Sequence, residues 1–250
     1  MPVPTRVTQT VILAAGSGSR LTPSRGDVPK PLMPVAGAPL VAHALEHAAL
    51  SGCTDAVIVV GYEGERVRAA IEAMRTPLRV QFLYNPDFTA PNGVSLLVAE
   101  SAAEPMFFLQ MVDHLFEVPV LARLAEQSLG AIGGRVLIDS RPSADIDLDD
   151  ATKVCLDDDR VVTAIGKGLA EWDAIDAGCF VLTHAIFDAL RSPAAGSAPT
   201  VSAGMRHLVS RGMLGTYDLA GARWIDVDTP ADREIAERLL AGRRLVSEPR

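Results

Sequence analysis

Residues Val11 to Val35 read VILAAGSGSRLTPSRGDVPKPLMPV. The run Val11 to Ala15 has the composition of a buried strand, and it breaks at once into Gly16, Ser17, Gly18, Ser19 and Arg20. Glycines let a backbone turn with positive φ and approach a ligand closely, so successive N–H groups can converge on anionic oxygens. Arg20 adds a fixed positive charge. Beyond the loop, Pro29 and Pro31 flank Lys30 and restrict the backbone on both sides, so its ammonium rides on a stiff segment. The stretch reads as a strand feeding a phosphate loop, followed by a caged lysine.

Two better-known glycine loops fail here. A dinucleotide fingerprint needs a third glycine where Leu21 stands, and Thr22 and Pro23 follow in place of a helix start. A Walker A loop needs Gly-Lys-Ser/Thr, a tripeptide absent from the chain. A structural Gly/Ser turn would leave Arg20 and Lys30 unexplained.

Working outward, Pro39 to Leu50 has helical spacing of Leu40, Val41, Ala44, Leu45 and Ala48, and Ser51-Gly52 ends it. His43, Glu46 and His47 in this helix spell H-x-x-E-H, an inverted zinc-protease motif. The phosphate loop already accounts for a site, so these three are expected on the polar face. Asp55 to Tyr62 is a β-branched strand, Glu65 to Met74 a helix and Leu78 to Tyr84 a third strand. That alternation predicts an α/β fold, a parallel sheet with helices on both faces, and ligands at the carboxyl ends of its strands.

Turn clusters at 85–87 and 90–93 precede a helical run from Ser95 to Glu100. Met106 to Val112 is a buried strand delivering Asp113 and His114, and a carboxylate emerging there suits Mg²⁺ held jointly with substrate phosphates. A helix is expected over 119–129, and strands over 131–138, 151–156, 161–165 and 175–182. Asp145, Asp147 and Asp149 alternate as in a calcium loop, but Asp150 holds the glycine position and Leu156 the twelfth, so a solvated loop is expected. Helices are expected over 183–190 and 200–209. In WIDVD, Asp226 and Asp228 should share one strand face, and Pro230 should open the last helix at its first position.

The chain has 250 residues, 48% of them hydrophobic, enough for one domain that buries roughly 70 to 75% of its unfolded surface. A single domain over 1–250 is expected, with its core over about 9–241. The net charge of −8 offers no basic field for nucleic acid or an anionic membrane, so an anionic substrate must be held by local cations. Cys53, Cys155 and Cys179 form no C-x-x-C pair and read as buried small hydrophobes. No stretch reads as a signal or membrane span, which places the expected site of action in the cytoplasm.

LAAGSGSRL at 13–21 and PKPL at 29–32 resemble the signature of the sugar-phosphate and alcohol-phosphate nucleotidyltransferases. The segments NGVSLLVAE, MVDHLFE, DAGCFVL and WIDVDT are most similar to the CTP:inositol-1-phosphate cytidylyltransferase branch. The resemblance implies a Rossmann-like nucleotidyltransferase fold with a mixed, mostly parallel central sheet. It implies transfer of a cytidylyl group from CTP to a small phosphorylated alcohol, inositol 1-phosphate favoured, with release of pyrophosphate. A phosphonate, phosphocholine or hexose 1-phosphate acceptor is the alternative.

By this resemblance Leu13, Ala14, Ala15, Gly16, Ser17, Gly18, Ser19, Arg20, Lys30, Asn92, Gly93 and Ser95 bind the nucleotide, and Lys167, Asp176, Gly178 and His114 the acceptor. Lys30, Arg20 and Asp113 are the expected catalytic residues. Asp113 and Asp226 are the expected Mg²⁺ ligands, with Asp228 as second choice. Partners are then a nucleoside triphosphate and a phosphorylated acceptor, neither nucleic acid nor membrane, with a homo-oligomer left open. A dehydrogenase, a non-catalytic nucleotide sensor and a zinc hydrolase at His43 and His47 are the rival classes.

Overall fold

The computed structural model describes residues 6–18, 28–125, 129, 132–192 and 199–241. Its strands are β1 (Gln9–Ala14), β2 (Pro34–Val35), β3 (Ala38–Pro39), β4 (Asp55–Val60), β5 (Arg79–Tyr84), β6 (Met106–Met111), β7 (His114–Phe116), β8 (Gly134–Asp139), β9 (Lys153–Leu156), β10 (Val162–Gly166), β11 (Ala174–Thr183), β12 (Leu214–Asp218) and β13 (Trp224–Asp226). Its helices are α1 (Leu40–Leu50), α2 (Gly64–Glu72), α3 (Asn92–Val98), α4 (Leu121–Ala125), α5 (Ala185–Arg191), α6 (Val201–Ser210) and α7 (Pro230–Leu239).

The main sheet runs β10-β9-β11-β6-β1-β4-β5, with β8 branching from β11 and carrying β12. β6, β1, β4 and β5 are mutually parallel, as the alternation of strands and helices requires. β11 then adds antiparallel to β6, which makes the sheet mixed. All six residues of β1 are buried, and their alternation supplies both faces. Ile12 and Ala14 pack with Leu40, Val41 and Ala44 of α1, while Val11 and Leu13 join Leu96, Phe187 and Met205 on the other face. Helices therefore cover both sides, and no helix among the described residues is long and apolar enough to cross a membrane.

Two expectations change. His43, Glu46 and His47 are buried, not on a polar face. Val120 donates its N–H to His47 Nε2 at 2.9 Å, so Nδ1 carries the proton and donates to Gln110 Oε1 at 3.0 Å. His43 Nε2 donates to the Val35 carbonyl at 2.8 Å. These imidazoles tie α1 to the sheet and the β2–β3 hairpin, so the motif serves packing. Among the cysteines, Cys53 and Cys179 are buried but Cys155 is only half-buried, its thiol on the Glu171 carbonyl.

Boundaries also move. The run expected from Ser95 begins at Asn92 and passes into a 3-10 turn over Ala99–Ala102. The strand expected to carry both Asp226 and Asp228 stops at Asp226, so the two carboxylates do not share a strand face.

Candidate active site

β1 and β6 lie side by side in parallel, so their carboxyl ends deliver Ala15-Gly16 and Val112-Asp113 to the same edge. There the chain bends away from the sheet and a cavity of about 330 Å³ opens, lined by residues that include Leu13, Ala15, Gly16, Gly18, Lys30, Asn92, Ser95 and Asp113. Ala14 points the other way, into the α1 core, while Ser17 and Gly93 lie outside the lining. Ser19 and Arg20 fall outside the described residues.

The two loop glycines have different reasons. A Cβ on Gly16 would meet nothing within 4 Å, which leaves the backbone approachable from the cavity. Gly18 has φ +66°, and a Cβ there would fall 2.5 Å from Lys30 Cβ. Its absence lets the lysine stem pass beneath the loop. Gly93 is governed by packing, since a Cβ would lie 2.4 Å from the Pro199 carbonyl oxygen. Ser95 is buried and accepts a hydrogen bond from Asn85 Nδ2 at 2.9 Å. Asn92 Oδ1 accepts from the Val201 N–H and so joins α3 to the start of α6.

Lys30 sits in the 3-10 turn Lys30–Leu32, opened by Pro29, and is 8% exposed. Its Nζ donates to Asp113 Oδ2 at 2.5 Å and to Asp228 Oδ1 at 2.6 Å. Burial alone would lower the ammonium pKa, but the two carboxylates outweigh it and raise it above the usual lysine value. Burial would likewise raise Asp113, yet Lys30 and His114 hold it far below the ordinary carboxylate range. Lys30 is therefore charged and shared between two carboxylate oxygens.

Asp226 lines an adjoining cavity together with Asp113 and Asp228. It pairs with His114 in the β13–β7 ladder, and burial pushes its carboxyl up, opposed by His114 and reinforced by Asp113 and Asp228. Asp228 has left the strand, and its backbone N–H donates to Asp232 Oδ2 at 3.1 Å. Asp232 also completes the capping box of α7 with Thr229. The helix cap is thus Thr229, while Asp228 Oδ1 accepts from Lys30.

A second cavity of about 500 Å³ adjoins the first and shares Asn92, Met111, Asp113 and Asp228 with it. It gathers His114, Lys167, Asp176 and Gly178, the four residues expected around an acceptor. β11 is irregular between Asp176 and Phe180, with Gly178 at φ +71°, and this bulge turns the segment toward the cavity. Asp176 Oδ1 accepts the Gly178 N–H at 2.8 Å, and burial pushes the carboxyl up to about 6. Lys167 Nζ is bonded to Asp150. Asp145 and Asp147 complete an acidic wall.

Among the described residues no cluster of three or more His, Cys, Asp or Glu could by itself hold a metal ion. Asp113 and Asp228 offer two hard oxygens already converging on one cation, the donor chemistry that Mg²⁺ uses when substrate phosphates supply the remaining ligands. The missed contributors are Phe88 and Met111 in the linings, and Trp224 beside His114. Phe88 could have been suspected from an aromatic residue set between turn clusters at a strand end.

Over 233 residues the chain is 35% identical to the bifunctional IPC transferase and DIPP synthase of Rubrobacter xylanophilus, covering 92% of this chain and 51% of that one. It is 31% identical over 244 residues to the CMP-5'-(3-aminopropyl)phosphonate synthase of Streptomyces rubellomurinus, covering 91% of this chain and 38% of that one. The chain thus spans about half the length, or less, of these curated relatives. The inositol-1-phosphate CTP transferase from T. maritima has the same fold, with a TM-score of 0.82 at 24% identity over 94% of this chain and 97% of that one. Residues 10–143, more than half of the chain, match the MobA-like NTP transferase domain, and the chain belongs to that family.

Proposed function

We propose that the protein transfers a cytidylyl group from CTP to a small phosphorylated alcohol, inositol 1-phosphate favoured, and releases pyrophosphate. The observation that carries this reading is the meeting of two cavities at Lys30, Asp113 and Asp228, one beside the glycine loop and one beside Lys167. A nucleotide in the first and a phosphorylated acceptor in the second would bring their phosphates together at Lys30. The relatives named above support the donor and acceptor classes.

A phosphate monoester has its second pKa near about 6, so the attacking oxygen is already largely ionised at neutral pH and no general base is needed. The barrier is repulsion between two anions, which a preorganised cation relieves. Lys30 would leave one or both carboxylates to bridge the acceptor phosphate and the α-phosphate. The amides of Gly16 to Gly18, with Arg20, would hold the outer phosphates. Asp113 and Asp228 are the residues we assign to Mg²⁺, Asp226 being paired with His114 across the β7–β13 ladder; the bound ion would neutralise phosphate charge.

One observation favours a second reading. Asp145, Asp147, Asp150, Asp176 and Asp226 outnumber the single lysine in the acceptor cavity. A cationic acceptor, such as an aminoalkylphosphonate, would find those carboxylates complementary, whereas a polyol would use them as hydrogen-bond acceptors. A pyrophosphate-release screen of CTP, UTP, GTP and dTTP against inositol 1-phosphate, aminoalkylphosphonates, phosphocholine and hexose 1-phosphates separates these readings. A clear preference for UTP or dTTP with a hexose 1-phosphate would refute the cytidylyl assignment.

A further inference from the structure

We infer that His114 is a positioning residue for Asp113, and that Trp224, Gly178 and Asp139 exist at their places to hold its imidazole; the inference rests on the reading of Asp113 as a metal-binding carboxylate. His114 Nδ1 lies 2.8 Å from Asp113 Oδ1. Asp113 is ionised and can only accept, so Nδ1–H donates, which fixes the tautomer. That bond occupies Oδ1 and leaves Oδ2, the oxygen on Lys30, facing the junction of the two cavities.

The ring itself is clamped. It stacks on Trp224 with centroids 5.6 Å apart and planes 12° from parallel. Its Cδ2–Nε2 edge lies against Gly178, where a Cβ would fall 2.2 Å from His114 Cδ2. Trp224 in turn donates its Nε1–H to Asp139 Oδ2 at 2.9 Å, and that carboxylate is 3% exposed. Phe116 continues the stack on Trp224 with centroids 6.2 Å apart. Four strands, β7, β8, β11 and β13, thus contribute to one imidazole. A residue that only touched the acceptor would need none of this; a carboxylate that must present one particular oxygen does.

The resemblance to known nucleotidyltransferases implied an acceptor contact for His114, and the two roles separate experimentally. Mn²⁺ binding is followed by electron paramagnetic resonance with a non-hydrolysable CTP analogue present, and acceptor KM is measured in parallel with Mg²⁺ and CTP. His114→Ala should weaken Mn²⁺ binding by about 10- to 100-fold, the usual consequence of losing a group that orients a ligand. Acceptor KM should change less. His114→Asn places an amide N–H where Nδ1–H stood and should recover most of the affinity. Gly178→Ala, which forces the ring to move, should resemble His114→Ala, and thermal unfolding of each variant identifies a folding defect. The inference is overturned if His114→Ala and Gly178→Ala bind Mn²⁺ as tightly as the wild type, or if His114→Asn is no better than His114→Ala. Wild-type protein that binds no Mn²⁺ with the analogue would overturn the metal-site reading itself, and the inference with it.

Discussion

Lys30 is held by two carboxylates in the free protein, and in the proposed reaction it would hold two phosphates, so its partners would have to change when substrates arrive. A lysine bonded to two carboxylates at 2.5 and 2.6 Å keeps its charge in a largely buried place, ready for transfer to anionic oxygens. Lys30→Ala should lower turnover on the order of 10² to 10³, the usual effect of losing one preorganised donor, while the circular dichroism spectrum stays native. Near-normal turnover would sink the role. The same geometry ranks the acidic residues. Asp113→Asn and Asp228→Asn should each reduce turnover by more than the roughly 10- to 100-fold expected for a group that merely orients a ligand, and Asp226→Asn by less. A silent Asp228→Asn beside a damaging Asp226→Asn would reverse the assignment of the pair.

At the scale of elements, the cap of α7 does two jobs that can be separated. Thr229 Oγ1 accepts from the Asp232 N–H, whereas Asp232 Oδ2 accepts the backbone N–H groups of both Thr229 and Asp228. Thr229→Ala and Asp232→Ala should each cost about 1 kcal/mol of stability, read as a fall of roughly 2 to 4 °C in Tm. Only Asp232→Ala should also depress turnover, because it alone releases the segment carrying Asp228; equal turnover in the two variants would contradict this. That coupling shows what the sequence could and could not reveal. Pro230 at the first helical position and the β-branched strands were legible, because backbone restriction and continuous burial leave local marks. So were the glycine loop and Asp113, each following a strand end, and Lys30, set between two prolines. Which of Asp226 and Asp228 lies on Lys30 was not, since it depends on where β13 stops. Nor was the burial of His43 and His47, whose partners Val35, Gln110 and Val120 come from other elements.

For the molecule as a whole, charge decides how substrates arrive. The chain carries a net −8, and its acceptor cavity is walled by aspartates with Lys167 bonded to Asp150, yet both proposed substrates are anions. The attraction that binds them must come from cations close at hand, such as Lys30, while the more distant field opposes approach. Screening acts mainly on that distant part, because the Debye length shrinks to about 10 Å at 0.1 M salt and buried pairs are screened much less. Modest salt should therefore raise kcat/KM for a phosphorylated polyol acceptor, measured with free Mg²⁺ and CTP held constant. An acceptor bearing an ammonium group should respond in the opposite direction, since salt would weaken its attraction to Asp145, Asp147 and Asp176. The pair of salt profiles thus reports acceptor class independently of which compound turns over fastest. A steep fall in kcat/KM for the polyol on adding salt would mean that long-range attraction steers it in, and the picture of local cations set in a repulsive field would be wrong.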